Sequence, residues 1–466
     1  VQKASIAFLL ICAALSTQAQ NNGVLDLQLR AVHRRAVEAV IWGMPAVNCN
    51  RMYDAMVDAG GAFNQIALMP RLQNWRNQTL TPNADVIYLM PFINTRDAGP
   101  MVLEIPPADE GSITGTITDW WQSALEDVGP IGADKGIGGK YLILPPNYQE
   151  RIPADYIVLR SYTYQTQALL RSIPRSGSDT DIAAAVRFAR RIKLYRLSQA
   201  ANPPPTKFID VADVVFDGTI PFDVRFFESL DRVVQTEPWL RRDKLMIDML
   251  KSIGIEKGQP FRPDARTREV LNDAAREARD WLNARYEAEF KPYFNGTQWG
   301  ITAPADVLET QSTFYEKQDK YAVNDRALAY FSAFSSVKHV GIGQVYLFAS
   351  KDKQGRELDG GSSYHLNVPA NVPARQYWSV TVYDRSTFAF VRDVPRVSCG
   401  SLTSRLEQHA DGSIEIYFGP KAPEANESNW IPTKANATYL VAFRFYGPAK
   451  PLFDKTWKLP NIEEVK

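Results

Sequence analysis

Between Val24 and Gly43 the apolar residues Leu25, Leu29, Val32, Ala36, Ala39 and Val40 recur at steps of three and four. Arg30, Arg34, Arg35 and Glu38 fill other positions, so the period predicts a helix with one buried stripe, stopped or kinked at Gly43 and Pro45. A second helical stretch covers 50–58 and ends at Gly60-Gly61. From Asp85 the texture changes to short apolar runs separated by Gly and Pro. Runs at 86–93, 101–105, 112–118, 141–144 and 156–159 predict closely spaced strands, as in a sandwich or barrel. Residues 161–172 read as a helix.

A polar break at 175–181 opens a mainly helical middle region reaching about residue 335. Its clearest helix starts at Asp264, an N-cap residue type, and carries Val270, Leu271, Ala274, Ala275, Ala278, Trp281 and Leu282 as one apolar stripe. Strands then return. Over 376–384, Trp378, Val380 and Val382 alternate with Tyr377, Ser379, Thr381 and Tyr383. Ile414, Ile416 and Phe418 alternate after an Asp411-Gly412 turn. Tyr439, Val441, Phe443 and Phe445 form a further face, from which Arg444 points away. The fold class expected is mixed β and α. Its parts are a leader (1–19), a helix with a β-sandwich (20–175), a helical connection (176–335) and a second β-sandwich (336–466).

Composition supports a folded, β-leaning chain: 45% of the 466 residues are hydrophobic, 23% are charged, and 10 Trp and 20 Tyr suit pleated, half-buried surfaces. Lys3, the apolar run 6–15 and Thr17-Gln18-Ala19 have the order of a secretory signal peptide. That run is about half the ~20 residues a membrane span needs, so export to the periplasm or the extracellular space is expected rather than a membrane anchor. Without the leader the 53 basic residues fall by Lys3 alone and match the 52 acidic ones. A neutral chain has no field to gather nucleic acid or anionic lipid. Two cysteines remain, Cys49 and Cys399, which either pair or stay as buried thiols.

The run from Thr81 to Tyr88 (Thr-Pro-Asn-Ala-Asp-Val-Ile-Tyr) and Gly99-Pro100-Met101-Val102-Leu103-Glu104-Ile105-Pro106 resemble domain of unknown function 1254. Tyr377-Trp378-Ser379-Val380-Thr381-Val382-Tyr383-Asp384, Asn429-Trp430-Ile431-Pro432 and Gly447-Pro448 resemble its usual companion, domain of unknown function 1214. The resemblance implies two β-sandwich, jelly-roll-like units joined by helices, and it brings no established catalytic residues. In relatives a Tyr is commonly followed three places on by His; here Tyr364 is followed by Asn367, with His365 at another offset.

No Gly-x-Ser-x-Gly elbow, phosphate loop, His-Glu-x-x-His or Cys-x-x-Cys occurs, and the four His are scattered; no metal site and no cofactor is implied. Candidate chemistry therefore rests on isolated carboxylates beside aromatics. Asp85 and Asp119 are the candidate acid/base groups and Tyr88 the candidate proton donor, with Asn83, Trp120, Trp121 and Tyr383 as binding residues. Pro-Asn-x-Asp is equally a turn motif, and Trp120 and Trp121 equally suit a core, with Asp119 capping a helix. The function expected is an exported hydrolase, cofactor-independent or metal-assisted, acting on an uncharged or apolar, small or polymeric substrate in an aromatic-lined pocket. A ligand-binding module without catalysis and a self-associating envelope protein stand beside it, and homo-oligomers fit either.

Overall fold

The computed structural model describes residues 2–301, 317, 319–333, 337–339, 343–424 and 426–465, with side chains from Leu25 onward. The chain divides into two compact units: Val1–Gly43 with Pro221–Asn283, and Met44–Ile220 with Ala284–Lys466. The architecture is mixed α and β, with several sheets and a helical middle region. Among the described residues no sheet closes into a barrel, and none has a strand order that defines a jelly roll.

The first unit is helical. Val224–Thr236 starts on Asp223, whose side chain accepts from the Arg225 amide, and turns Phe226, Phe227, Leu230, Val233 and Val234 inward. Asp264 accepts from the Thr267 amide (2.7 Å) and so caps Ala265–Ala288, whose stripe Leu271, Ala274, Ala275, Ala278 and Leu282 is buried as its period requires. Leu230 lies 2.9 Å from where a Gly43 side chain would begin, so glycine here permits close packing. The expected break at Gly43 and Pro45 does not occur: Gln2–Asp58 is one helix with Pro45 inside it. Residues from Val40 to Asn50 are buried without interruption, and that burial outweighs the one amide hydrogen bond proline removes.

In the second unit, Phe208–Asp210, Gln65–Met69, Ile87–Asn94, Gln165–Ser172, Ile113–Asp119 and Ala124–Val128 lie side by side in that order. A four-stranded sheet follows the order Lys193–Arg196, Met101–Ile105, Gly139–Leu144, Ile157–Arg160. Ile66, Leu68, Ile87, Leu89, Ile117 and Leu170 of the former share one apolar cluster with Met101, Leu103, Tyr141 and Ile143 of the latter. The other large sheet runs Lys291–Pro292, Gly300–Ile301, Gln344–Ala349, Tyr439–Pro448, Ala374–Asp384, Ser398–Gly400. A second four-stranded sheet runs Trp430–Pro432, Ile414–Gly419, Tyr364–Val368, Glu463–Glu464.

The helix expected at 161–172 is instead the strand Gln165–Ser172, paired with Ile87–Asn94 on one side and Ile113–Asp119 on the other. A central strand covered on both faces loses the polar alternation that marks an exposed one, and Gln, Ala, Leu and Arg are good helix formers. Leu170→Ala, in the middle of that strand, should cost about 2–5 kcal/mol in urea unfolding. Ile137→Ala, at a side chain 79% exposed, should stay within about 0.5 kcal/mol of the parent.

Candidate functional site

Successive residues of a strand point to opposite faces, and this builds the site. Ile87 and Leu89 enter the apolar cluster. Tyr88 and Met90 take the other face, where the register Tyr88↔Arg171 sets a phenol opposite a guanidinium. In the C-terminal sheet Trp378, Val380, Phe443 and Phe445 are core residues. The alternate face carries Tyr377, Ser379, Thr381 and Tyr383, with Tyr377 opposite Tyr446, and Ser379 and Tyr346 both opposite Arg444.

The segment Leu80–Asp85 links these two polar faces. Arg444 is almost fully buried, and Nη2 donates to the carbonyls of Thr81 (3.0 Å) and Pro82 (3.1 Å). The same guanidinium donates through Nη1 to Thr381 Oγ1 (2.9 Å) and through Nη2 to the Tyr383 hydroxyl. Tyr383 in turn donates to the Pro82 carbonyl (2.6 Å). Thr81 sits at φ +39°, and its amide donates to Phe388 (2.7 Å). Asn83 Nδ2 donates to the hydroxyls of Tyr377 (2.7 Å) and Tyr446 (2.5 Å), while its amide donates to Tyr88 Oη (2.8 Å). Tyr446 and Tyr377 stack at 4.2 Å, and Tyr346 shares a 2.9 Å hydrogen bond with Tyr446.

Asn77, Thr79, Leu80, Thr81, Pro82, Tyr88, Met90, Leu169 and Arg171 enclose a cavity of about 20 Å³, counted as space open to water centres. That is room for a water or the head of a small ligand, roughly 10–15 Å³ sufficing for one water. Burial pushes the Asp85 carboxyl above its ordinary range, against the opposing pull of the Ser379 and Ser398 hydroxyls and the Arg444 charge. Ser398 Oγ lies 3.5 Å from Asp85 Oδ2. Burial also raises the phenols of Tyr346, Tyr377 and Tyr383, which therefore stay protonated at neutral pH.

Of the residues singled out in the sequence, Asn83, Asp85, Tyr88 and Tyr383 meet here. Asn83 also makes the turn its motif predicts, its Oδ1 accepting from the Asp85 amide (2.8 Å). Asp119 closes the hairpin between Ile113–Asp119 and Ala124–Val128, accepting on Oδ1 from the amides of Trp121 (2.9 Å) and Ser123 (2.8 Å). It caps a turn; no helix follows it. Trp120 is fully buried beside Tyr53 and Phe63 and donates to Asn50 Oδ1 (2.7 Å). Trp121 is buried under Arg326. No hydrogen bond between described residues joins these three to the Asn83 cluster.

Arg171, Arg444, Tyr346, Tyr377 and Tyr446 complete the cluster and were not among the candidates. An arginine inside the apolar run 439–445 was the one available signal for them. The histidines pair with glutamates: His339 with Glu126 (2.7 Å), His33 with Glu277 (2.7 Å), and His365 and His409 with Glu415. Among the described residues no group of three or more His, Cys, Asp or Glu is placed to hold a metal. Cys49 and Cys399 are buried and form no disulfide, and burial pushes the Cys399 thiol up to about 11.

Fold and site together define a protein in which an N-terminal and a C-terminal β-rich segment share one buried polar seam. Residues 63–196 match the family model described as protein of unknown function DUF1254, and 343–450 match protein of unknown function DUF1214. The chain thus carries both matches, the first towards its N-terminus and the second towards its C-terminus. Among solved structures it is similar to the VPA0106 protein of Vibrio parahaemolyticus, at 19% identity and TM-score 0.57, over 93% of this chain and 100% of that one. An uncharacterized protein from Burkholderia cenocepacia matches at 12% identity and TM-score 0.41, over 97% and 98%. No curated protein matches. The likeness to the Vibrio protein is one of fold.

Because the Asp85 pKa is raised above its unfolded value, the folded protein holds that proton more tightly, and stability falls as pH climbs from 3.8 through the raised value. Asp85→Asn should therefore melt at higher temperature than the parent at pH 7, with the gap closing as pH falls towards 3.8. Melting curves across pH 4–7 (roughly the window that matters for a buried carboxyl) check this.

Proposed function

We propose that the protein binds a small polar ligand in the cavity beside Thr79–Pro82, Tyr88 and Arg171. The observation that carries this is a small, partly open void whose wall holds a guanidinium, a phenol and threonines. Pockets with a few convergent polar groups are the usual ligand sites of such folds. The size of the void favours a small molecule over a polymer. Export remains part of the proposal, supported by the charge, apolar run and small residues of 1–19. We also read each six-stranded sheet and the four-stranded sheet of its own segment as a jelly-roll-like sandwich, on the strength of the apolar cluster in the N-terminal pair.

One observation favours hydrolysis at the same place. Asp85 is a carboxyl held towards its neutral form beside two serine hydroxyls, which is how a general acid is prepared. In that second reading Asp85 handles the proton and Asn83 and Tyr88 orient the substrate.

Thermal-shift and calorimetric screening of small acids, amides, alcohols and sugars checks the first reading. A ligand should emerge that binds Tyr88→Phe at least about tenfold more weakly, the loss of one buried hydrogen bond. Equal binding to both, or no ligand at all, overturns it. For the second reading, Asp85→Asn should abolish turnover of an ester, amide or glycoside that the parent cleaves and Asp119→Asn should retain it; unchanged turnover in Asp85→Asn removes the acid assignment.

A further inference from the structure

Arg171 and Arg444 occupy the same polar seam, and the Nε of each is shut off from solvent without an acceptor among the described residues; they differ in the groups that face their remaining donors. Arg444 donates to two carbonyls and two hydroxyls. The polar groups that face the Arg171 charge are the phenols of Tyr88, Tyr346 and Tyr446, and no described carboxylate is among them. Elsewhere, part-buried arginines have acids: Arg385 has Glu287, and Arg285 has Asp325 and Glu289.

The charge count in the seam points the same way. The described part of the seam holds two guanidiniums and one carboxyl, Asp85, which faces Arg444 and is not among the groups facing Arg171; burial drives that carboxyl towards neutrality. The Tyr346 and Tyr377 phenols keep their protons, so they supply donors and no negative charge. Arg171 is part-buried, and an anion entering the void would give its guanidinium a charge-assisted partner that the phenols do not supply.

The rest of the wall narrows the class. Leu80, Met90 and Leu169 are apolar, and the void is small. A guanidinium in a small, mainly polar void with apolar contacts at Leu80, Met90 and Leu169 suits a carboxylate with a short alkyl tail better than a fully hydrated phosphate. We propose that Arg171 anchors a short aliphatic carboxylate in the cavity lined by Leu80, Tyr88, Met90 and Leu169. This rests on the cavity being the ligand site and goes further by naming the ligand's chemistry.

The full chain is titrated with sodium acetate and sodium propionate, with sodium chloride at equal ionic strength, sodium phosphate and neutral acetamide as comparisons. Acetate and propionate should raise the melting temperature saturably, beyond chloride and phosphate. Arg171→Met should show no saturable rise. Arg171→Lys keeps the charge without the fork and should bind acetate at least about tenfold more weakly. It carries the test should Arg171→Met fail to fold.

The proposal is overturned if chloride or phosphate matches acetate, or if either variant binds acetate as the parent does. Acetamide binding while acetate does not overturns the carboxylate assignment and leaves the ligand site standing. Binding by none of the probes overturns the carboxylate, and the site reading then depends on the wider screen alone.

Discussion

Arg444 has to be satisfied inside the protein, and most of the seam follows from how that is done. A guanidinium removed from water loses several kcal/mol unless its protons find acceptors in fixed positions. Its own sheet offers Thr381 and Tyr383; the remaining acceptors are the Thr81 and Pro82 carbonyls, from the N-terminal segment. Those carbonyls are available because Thr81 takes a left-handed backbone conformation, tied by its amide to Phe388. With Thr81 and Pro82 held, Asn83 reaches Tyr377 and Tyr446, and the Asp85 carboxyl lies beside Ser398. Proline at 82 suits the place, since it has no amide proton that would need a partner of its own.

The faces of the strands were legible in the sequence; their neighbours were not. Alternation at 376–384 separated Trp378, Val380 and Val382 from Tyr377, Ser379, Thr381 and Tyr383, and the odd arginine in 439–445 identified the polar side of the adjoining strand. Strand placement at 101–105 and the Asp264 cap were equally readable, because both depend on local chemistry. Arg171 was out of reach for a physical reason. Its strand is central and covered on both sides, so its residues carry no alternation, and a helix was the better local reading. The partners of Arg444 were hidden too, since register between residues some 360 positions apart leaves no trace in one sequence.

Asn83 and Asp119 show how one residue class divides between shape and chemistry. Both use a side-chain oxygen to accept a backbone amide two residues on. Asp119 spends the same oxygen on Ser123 as well and closes a hairpin. Asn83 keeps its amide nitrogen for two phenols contributed by another sheet. The turn expected from the sequence is made at 83, and it leaves the Asn83 amide nitrogen available for the two phenols.

The composition of the seam also limits what it can do. Arginines, protonated phenols and an asparagine amide are donors, while the carbonyls of Thr81 and Pro82 are already taken by Arg444 and Tyr383. Such a wall is better suited to an acceptor than to a donor, the more so as that acceptor becomes more negative. It can stabilise an oxyanion, yet it has few groups able to take up a proton. Asp85 is the carboxyl within the seam, and its environment favours the neutral form, so it is better prepared to give a proton than to remove one. Binding of a negatively charged acceptor requires none of these groups to change state, whereas hydrolysis requires a base that the described part of the seam does not hold ready. That asymmetry is why binding comes before catalysis in the reading of this site.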